Sequence, residues 1–331
     1  MDQKLDPFDD ALEDLRVTGS VVLHESYAPP WAIAVPDENC LRSLLSVATD
    51  TRVLVFHYVR RGEFELKVPG HPAVRVNTAD VAICPSGSAH VMRRGARTAP
   101  VPLESIIRRE APAPGARDAA GATECVCGVF LVRAAPLNPL LCALPPIVKV
   151  ATGHKEISPM LASVASMLAT EIGRGTLNSF STARLLELFC AETMRAYQRS
   201  AGTTMPGWFR GLADSRIADA LGHIHAAPSK DWTVPTLARH VSLSPSRFAA
   251  RFRETTGLTV MSYVARWRAN VACRLLWDTD MRLGEIANRV GYDSLPAFSR
   301  AFKTQLGVPP AAWRASRRIA NALTPTVPQA R

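Results

Sequence analysis

The chain has 331 residues, of which 47% are hydrophobic and 21% charged, and its 39 Lys+Arg against 29 Asp+Glu give a formal charge of +10. This is the composition of a globular chain long enough for two domains, and it excludes the fibrous and disordered classes. No stretch reaches the roughly 18 uninterrupted apolar residues of a spanning helix, and the acidic, polar start MDQKLDPFDD does not resemble a signal peptide, so a cytoplasmic protein with no membrane partner is expected.

From about residue 20 to 135 the apolar residues fall in short β-branched runs separated by Gly, Pro and Asn, among them Val53 to Phe56, Phe64 to Val68, Val81 to Ile83 and Val126 to Val132. Such runs, with turn signals between them, predict an all-β sandwich or barrel. The segment APAPGARDAAGA (111–122) predicts a long surface loop inside that domain. Seven cysteines (Cys40, Cys84, Cys125, Cys127, Cys142, Cys190 and Cys273) are odd in number and lack zinc-site spacing. Reduced thiols are therefore expected.

After Pro145-Pro146 the period changes. Leu161, Val164, Leu168 and Ile172 predict a helix from Ser158, and a second, capped by Asn178 or Ser179, carries Leu185, Leu188 and Phe189 on one face and ends near Arg199. This pair suits either core packing or a dimer surface. Linker-like SAGTTMPG (200–207) follows. The C-terminal third holds nearly all the excess charge: residues 211–331 carry 17 basic side chains, 15 of them Arg, and 8 acidic ones, against 22 and 21 in residues 1–210. An arginine-rich surface suits a polyanion, and a solvated basic face without a partner is the plain alternative.

Within that third the chain repeats itself. Leu237-Ala238, Val241, Phe248, Phe252 and Gly257 recur as Ile286-Ala287, Val290, Phe298, Phe302 and Gly307, at an offset of 49 before a turn and 50 after it. Two copies of one helix–turn–helix unit, differing by a residue in the turn, explain that shift. Ser244 and Ser294 are placed to cap the second helix of each copy, the i,i+4 phenylalanines bury one face, and Gly257 and Gly307 end the helices. The opposite faces, with Ser246, Arg247 and Arg251 in one copy and Ala297, Arg300 and Lys303 in the other, stay free. Val260 to Leu276 predicts the connecting helix.

The stretches SLSPSRFAARFRETTGLTVMSYVARWRANVACRLL and IANRVGYDSLPAFSRAFKTQLGVPPAAWR resemble the DNA-binding domain of the AraC/XylS family over about 215–318. PPWAIAVP, VFHYVRRGEFELKVPG, ADVAICPSGSAH and VCGVFLVRAAPLNPLLCALPPIVKV resemble the cupin-type sensor of one branch of that family, over roughly 20–150. The resemblance implies an α+β chain: a cupin-like β-barrel sensor (1–150), a helical dimerisation segment (151–200), a linker (201–211), an all-α domain with two helix–turn–helix motifs (212–318) and a flexible tail (319–331). It implies a non-enzymatic, homodimeric transcription regulator, leaning towards activation, with double-stranded promoter DNA, RNA polymerase and a small-molecule or oxidant effector as partners. Recognition helices would span about 245–256 and 295–306. Their DNA-facing positions would be Ser244, Ser246, Arg247, Ala249, Ala250 and Arg251 in the first, and Ser294, Pro296, Ala297, Arg300 and Lys303 in the second. Arg300 is suited to bridging guanine O6 and N7, and an alanine offers a methyl contact to thymine. Arg251, Arg253 and Lys303 suit phosphate.

Enzymatic cupins bind metal through a pattern that this chain meets at His57, Glu63 and His90, with Val59 in place of a second histidine. Two imidazoles and a carboxylate would suit a divalent metal; the alternative is that both histidines are satisfied barrel residues, and no cofactor is the preferred expectation. A metal or redox sensor, or less readily a cupin enzyme, is the alternative function. Cys125 and Cys127 share one strand face, and with Cys40 and Cys84 they are the candidates for oxidant sensing.

Overall fold

A computed structural model describes residues 6–48, 51–108, 110, 121–133, 135–152, 158–175, 177, 179–201 and 207–315. In chain order the elements begin with α1 (Pro7–Glu13), β1 (Arg16–Tyr27), β2 (Trp31–Val35), α2 (Glu38–Leu44), β3 (Arg52–Arg61), β4 (Glu63–Lys67), β5 (Val74–Asn77) and β6 (Asp80–Cys84). Next come β7 (His90–Arg94), β8 (Val101–Pro102), α3 (Leu103–Ile107), β9 (Thr123–Arg133), α4 (Pro139–Ala143), β10 (Val148–Ala151), α5 (Pro159–Gly173) and α6 (Phe180–Ala201). The rest is helical: α7 (Trp208–Ala213), α8 (Ser215–Ala226), α9 (Val234–His240), α10 (Pro245–Thr256), α11 (Val260–Asp278), α12 (Leu283–Arg289) and α13 (Leu295–Leu306). Most of the loop 111–122, residues 202–206 of the linker and the tail 319–331 lie outside the described residues.

The chain divides into two compact units. One, the β unit, holds the described residues of 17–132 and 144–200; the other, the helical unit, holds those of 1–16, 133–143 and 201–315. Residues 6–16 and 133–143, which sequence reasoning left inside the sensor, thus join the helical unit. Phe8 stacks with Trp208 at 6.3 Å between ring centroids, and Asn138 Nδ2 donates to the Ala11 carbonyl at 2.7 Å. Asp14, buried, accepts from Asn270 Nδ2 at 2.5 Å and meets Arg274 at 2.9 Å.

In the β unit, two five-stranded sheets, ordered β1-β9-β3-β6-β10 and β5-β4-β7-β2-β8, enclose one apolar core. Alternation along β3 sends Val53, Val55 and Val59 into that core and Leu54, Phe56 and Tyr58 to the other face. There Phe56 stacks on Phe130 at 4.6 Å, and Phe189 of α6 closes over Phe56 and Tyr58 at 6.3 and 5.7 Å. The expected barrel is not closed: among the described residues no ladder joins one sheet to the other. Three of the four edge strands, β5, β8 and β10, are only two to four residues long and offer little backbone for a closing ladder. Ser158 caps α5 through Leu161 N–H at 3.1 Å, and Ser179 accepts from Thr182 N–H, also at 3.1 Å. On α6 the buried stripe runs through Leu186, Phe189, Cys190 and Met194; Phe189 lies on it as expected, whereas Leu188 is exposed and Leu185 half-buried.

In the helical unit, α9 with α10 and α12 with α13 form two short-then-long helix pairs joined by α11. The single-residue difference falls in the turns. Ser242 (φ 55°) takes the left-handed conformation in the first, and Gly291 (φ 84°) takes it at the matching place in the second. Ser294 caps α13 by accepting from Ala297 N–H at 3.3 Å. Ser244 occupies the corresponding position, but its hydroxyl makes no capping bond, so only one of the two expected caps forms. Both long helices end on left-handed glycines, Gly257 and Gly307.

Candidate nucleic-acid interface

Burial fixes which face of each long helix is available. Phe248 and Phe252 in α10, and Phe298 and Phe302 in α13, are at most 1% exposed. They face the partner helices through the close-packed Leu237-Ala238 and Ile286-Ala287, all fully buried. Ser244, Ser246, Arg247, Ala250, Arg251 and Arg253 are exposed on α10, Ala249 half-buried. On α13 Ser294, Pro296, Arg300 and Lys303 are exposed, and Ala297 is half-buried.

The exposed cations are not equivalent. Arg251 Nε donates to Asp214 at 2.5 Å, and Arg210 pairs with Glu254 at 3.4 Å. Asp214 is itself held in place as the N-cap of α8, accepting from the Arg216 and Ile217 N–H groups. Arg251 is therefore tied down beside α10, not extended towards a phosphate. The side chains of Arg247, Arg253, Arg300 and Lys303 have no hydrogen-bonded or ionic partner among the described residues. Other arginines of the basic third serve the fold. Arg216 Nη1 donates to the Val241 and Ser242 carbonyls at 2.8 and 2.9 Å, clamping the first turn. Arg268 donates to Pro228 and Lys230 carbonyls and packs over the Tyr292 ring. Sequence reasoning missed these roles, because a carbonyl acceptor carries no residue-type signal.

Of the residues singled out in the sensor, His57, His90, Cys84, Cys125 and Cys127 are buried in the β unit. His57 on β3 pairs across the sheet with Cys127 on β9. Its Nδ1 lies 3.0 Å from the Cys127 sulfur, and its Nε2 lies 2.8 Å from Nε2 of His90 on the opposite sheet. His90 Nδ1 lies 2.7 Å from the Ser88 carbonyl, which can only accept. One proton arrangement satisfies the rings: His90 Nδ1–H donates to Ser88 and His57 Nε2–H donates to His90, which leaves His57 Nδ1 as an acceptor facing the Cys127 sulfur. Both rings are then neutral. Burial holds His57 well below its ordinary value and His90 down to about 4, and the neighbouring His90 depresses His57 further.

Glu63 does not join them. It accepts from Arg75 Nη2 and Nε at 2.5 and 2.9 Å on the outside of β4, which holds its carboxyl below the usual range. The metal triad thus loses its carboxylate, and no group of three His, Cys, Asp or Glu side chains converges among the described residues. The residues present do not fit a cupin metal. The candidate thiols differ in exposure: Cys84, Cys125 and Cys127 are buried and Cys40 is exposed. Burial pushes Cys84 up to about 12, and Cys127 is raised by its hydrogen bond with Cys125 and by burial. Cys40 is exposed, but its bond to Asp37 raises it too. The cavity beside His57 and Cys127, lined also by Val22, Ile33 and Met92, measures about 20 Å³, room for roughly one water.

Tandem helix pairs with basic outer faces, in one chain with a two-sheet domain, define the class of a DNA-binding regulator with an attached sensory module. Comparison with known proteins agrees. Residues 6–199 match the cupin family model and residues 237–316 a helix-turn-helix domain model. An AraC-like transcription regulator of Streptomyces lividans is 31% identical over 266 residues, covering 80% of this chain and 87% of that one. The HTH-type transcriptional regulator AlkR of Acinetobacter baylyi is 27% identical, covering 94% and 99%. Among solved structures, the DNA-binding domain of AdpA in complex with a target DNA is 31% identical, covering 34% of this chain and 99% of that one, with a TM-score of 0.32. The chain belongs to the AraC-like family of transcription regulators, with a cupin-like N-terminal domain and a helix-turn-helix DNA-binding domain. No helix among the described residues is long and apolar enough to cross a membrane.

Proposed function

We propose that this chain is a sequence-specific, cytoplasmic regulator that acts as a homodimer, has no catalytic activity or cofactor, and reads double-stranded promoter DNA with two helix–turn–helix motifs, α9–α10 and α12–α13. The observation that carries the reading is the pair of outer faces on which Arg247, Arg253, Arg300 and Lys303 stand exposed and unpaired above buried phenylalanines. Ser244, Ser246, Ala250, Ser294 and Ala297 complete those faces, and Arg251 acts by positioning α10 through Asp214. The dimer surface is proposed on α5 and α6, where Met160, Met167, Phe180 and Leu188 are large apolar side chains left exposed. A bound dimer would recruit RNA polymerase. The effector, a small organic molecule, enters by remodelling the β unit, since the filled core supports a closed form that a ligand must outcompete.

The test is equilibrium binding to the DNA upstream of the chain's own and neighbouring genes, against a scrambled duplex, across a salt series. A sequence-specific regulator prefers the true site by at least about 10³-fold. Equal affinity for both duplexes, with a steep salt dependence, overturns the reading.

A further inference from the structure

Superimposing the two long helices at their offset of 50 brings Arg247 onto Ala297 and Ala250 onto Arg300. In each copy the first of these positions is the third residue of the helix and the second is the sixth. At these two positions each helix therefore carries one free guanidinium and one alanine, but in opposite order. The other cations on these faces fall outside the reversal: Arg251 is held by Asp214 at 2.5 Å and has Ala301 as its counterpart, while Arg253, nine residues into α10, matches Lys303 in α13, a pair of like charge suited to phosphate.

We propose that the two recognition helices read the same two chemistries in reversed order. In α10, Arg247 takes a guanine edge near the helix N-terminus and Ala250 lies against a thymine methyl one turn on. In α13, Ala297 takes the thymine methyl and Arg300 the guanine. An Arg reaches guanine O6 and N7 in a bidentate fork, whereas alanine contributes only a small apolar surface that suits the thymine C5-methyl. The guanidinium anchors differ by three residues, about 4.5 Å along the axis, which is a little over one base step of about 3.4 Å. The operator therefore consists of two non-equivalent subsites, one reading guanine before thymine and the other thymine before guanine relative to its helix. This rests on α10 and α13 being the DNA-reading helices.

The experiment selects preferred sequences from randomised duplex DNA with the full-length protein, Arg247→Ala, Arg300→Ala, and the relocated double variant Arg247→Ala/Ala250→Arg. All these positions are exposed and helix-compatible, so the fold is kept. Wild type should show two distinct subsites. Each single variant should erase one guanine preference, by about 5- to 150-fold in discrimination, and leave the other subsite intact. The double variant should restore a guanine in the first subsite, displaced by one base pair, and wild type on uracil-substituted DNA should lose preference at the thymine positions. Loss of the same guanine in both single variants, a uniform loss across all sequences, or an undisplaced guanine in the double variant would contradict the reversed order while leaving the two-helix reading standing. A wild type without any sequence preference would overturn that reading and this assignment together.

Discussion

The two compact units bury polar groups in opposite ways. In the β unit, His57 and His90 face each other across the sheets as neutral rings, anchored at one end by the Ser88 carbonyl and at the other by the Cys127 thiol. In the helical unit, Asp14 meets the opposite charge of Arg274 at 2.9 Å, whereas His225, stacked on Trp267 at 3.7 Å, is lowered below its ordinary value by burial. A neutral relay excludes charge, whereas a matched pair needs it. The two units should therefore answer differently to pH and to truncation.

The largest contrast is expected in acid. His90 titrates at about 4 in the fold against an ordinary value of 6.5, so the unfolded chain takes up its proton first as pH falls. The stability this neutral ring contributes is complete above pH 6.5 and is lost between about 6.5 and 4, about 3 kcal/mol from His90 alone. His57, lowered further in the same direction, adds to it. Asp14, raised by burial, works the other way, because protonating it relieves a cost. Hydrogen exchange followed from pH 7 to pH 4 should show the β unit, with two such buried histidines against His225 alone in the helical unit, opening ahead of the helical unit. The double variant His57→Leu/His90→Leu should flatten the acid response of the β unit, and a full response in that variant would put its origin elsewhere.

Truncating a matched pair should hurt only the unit that contains it. Asp14→Ala leaves Arg274 and the Asn270 amide without their acceptor, and with Arg274 one-third exposed the cost should be about 2 kcal/mol. Urea unfolding read by exchange in α8 and α11 checks it, with the β strands unchanged. At the small end lies a difference between the two turns. Ser242 holds a left-handed conformation that Gly291 adopts in the second pair, so Ser242→Gly should stabilise the helical unit by about 0.5–1 kcal/mol in its thermal midpoint. Gly291→Ala should do the reverse, since a Cβ there would lie 2.7 Å from Arg268 Nη2 and 2.8 Å from the Ser229 carbonyl.

What the sequence made legible was what local chemistry encodes. The spans 245–256 and 295–306 coincide with α10 and α13 because the Phe i,i+4 pairs and terminal glycines act within one helix. Strands such as β3, β4, β6 and β9 were readable as short β-branched runs for the same reason, whereas β10, beyond the stretch read as β, was not. Long-range partnerships were not. Nothing near Asp14 in the chain points to Asn270, 256 residues away, so the first sixteen residues read as part of the sensor. Spacing placed Glu63 with His57 and His90, yet Arg75, facing it from the neighbouring strand, captures its carboxylate. Arg251 looked like a phosphate contact until Asp214, folded in from the start of α8, claimed its guanidinium.

The most direct test of the account is a guanine-N7 methylation-protection footprint of the full-length protein on its preferred duplex. Two helices docked in successive major grooves should protect guanines in two clusters on one face of the DNA, about one helical turn apart, with Arg300→Ala erasing protection in one cluster only. A single protected cluster, or one that persists unchanged in that variant, would contradict joint reading by α10 and α13.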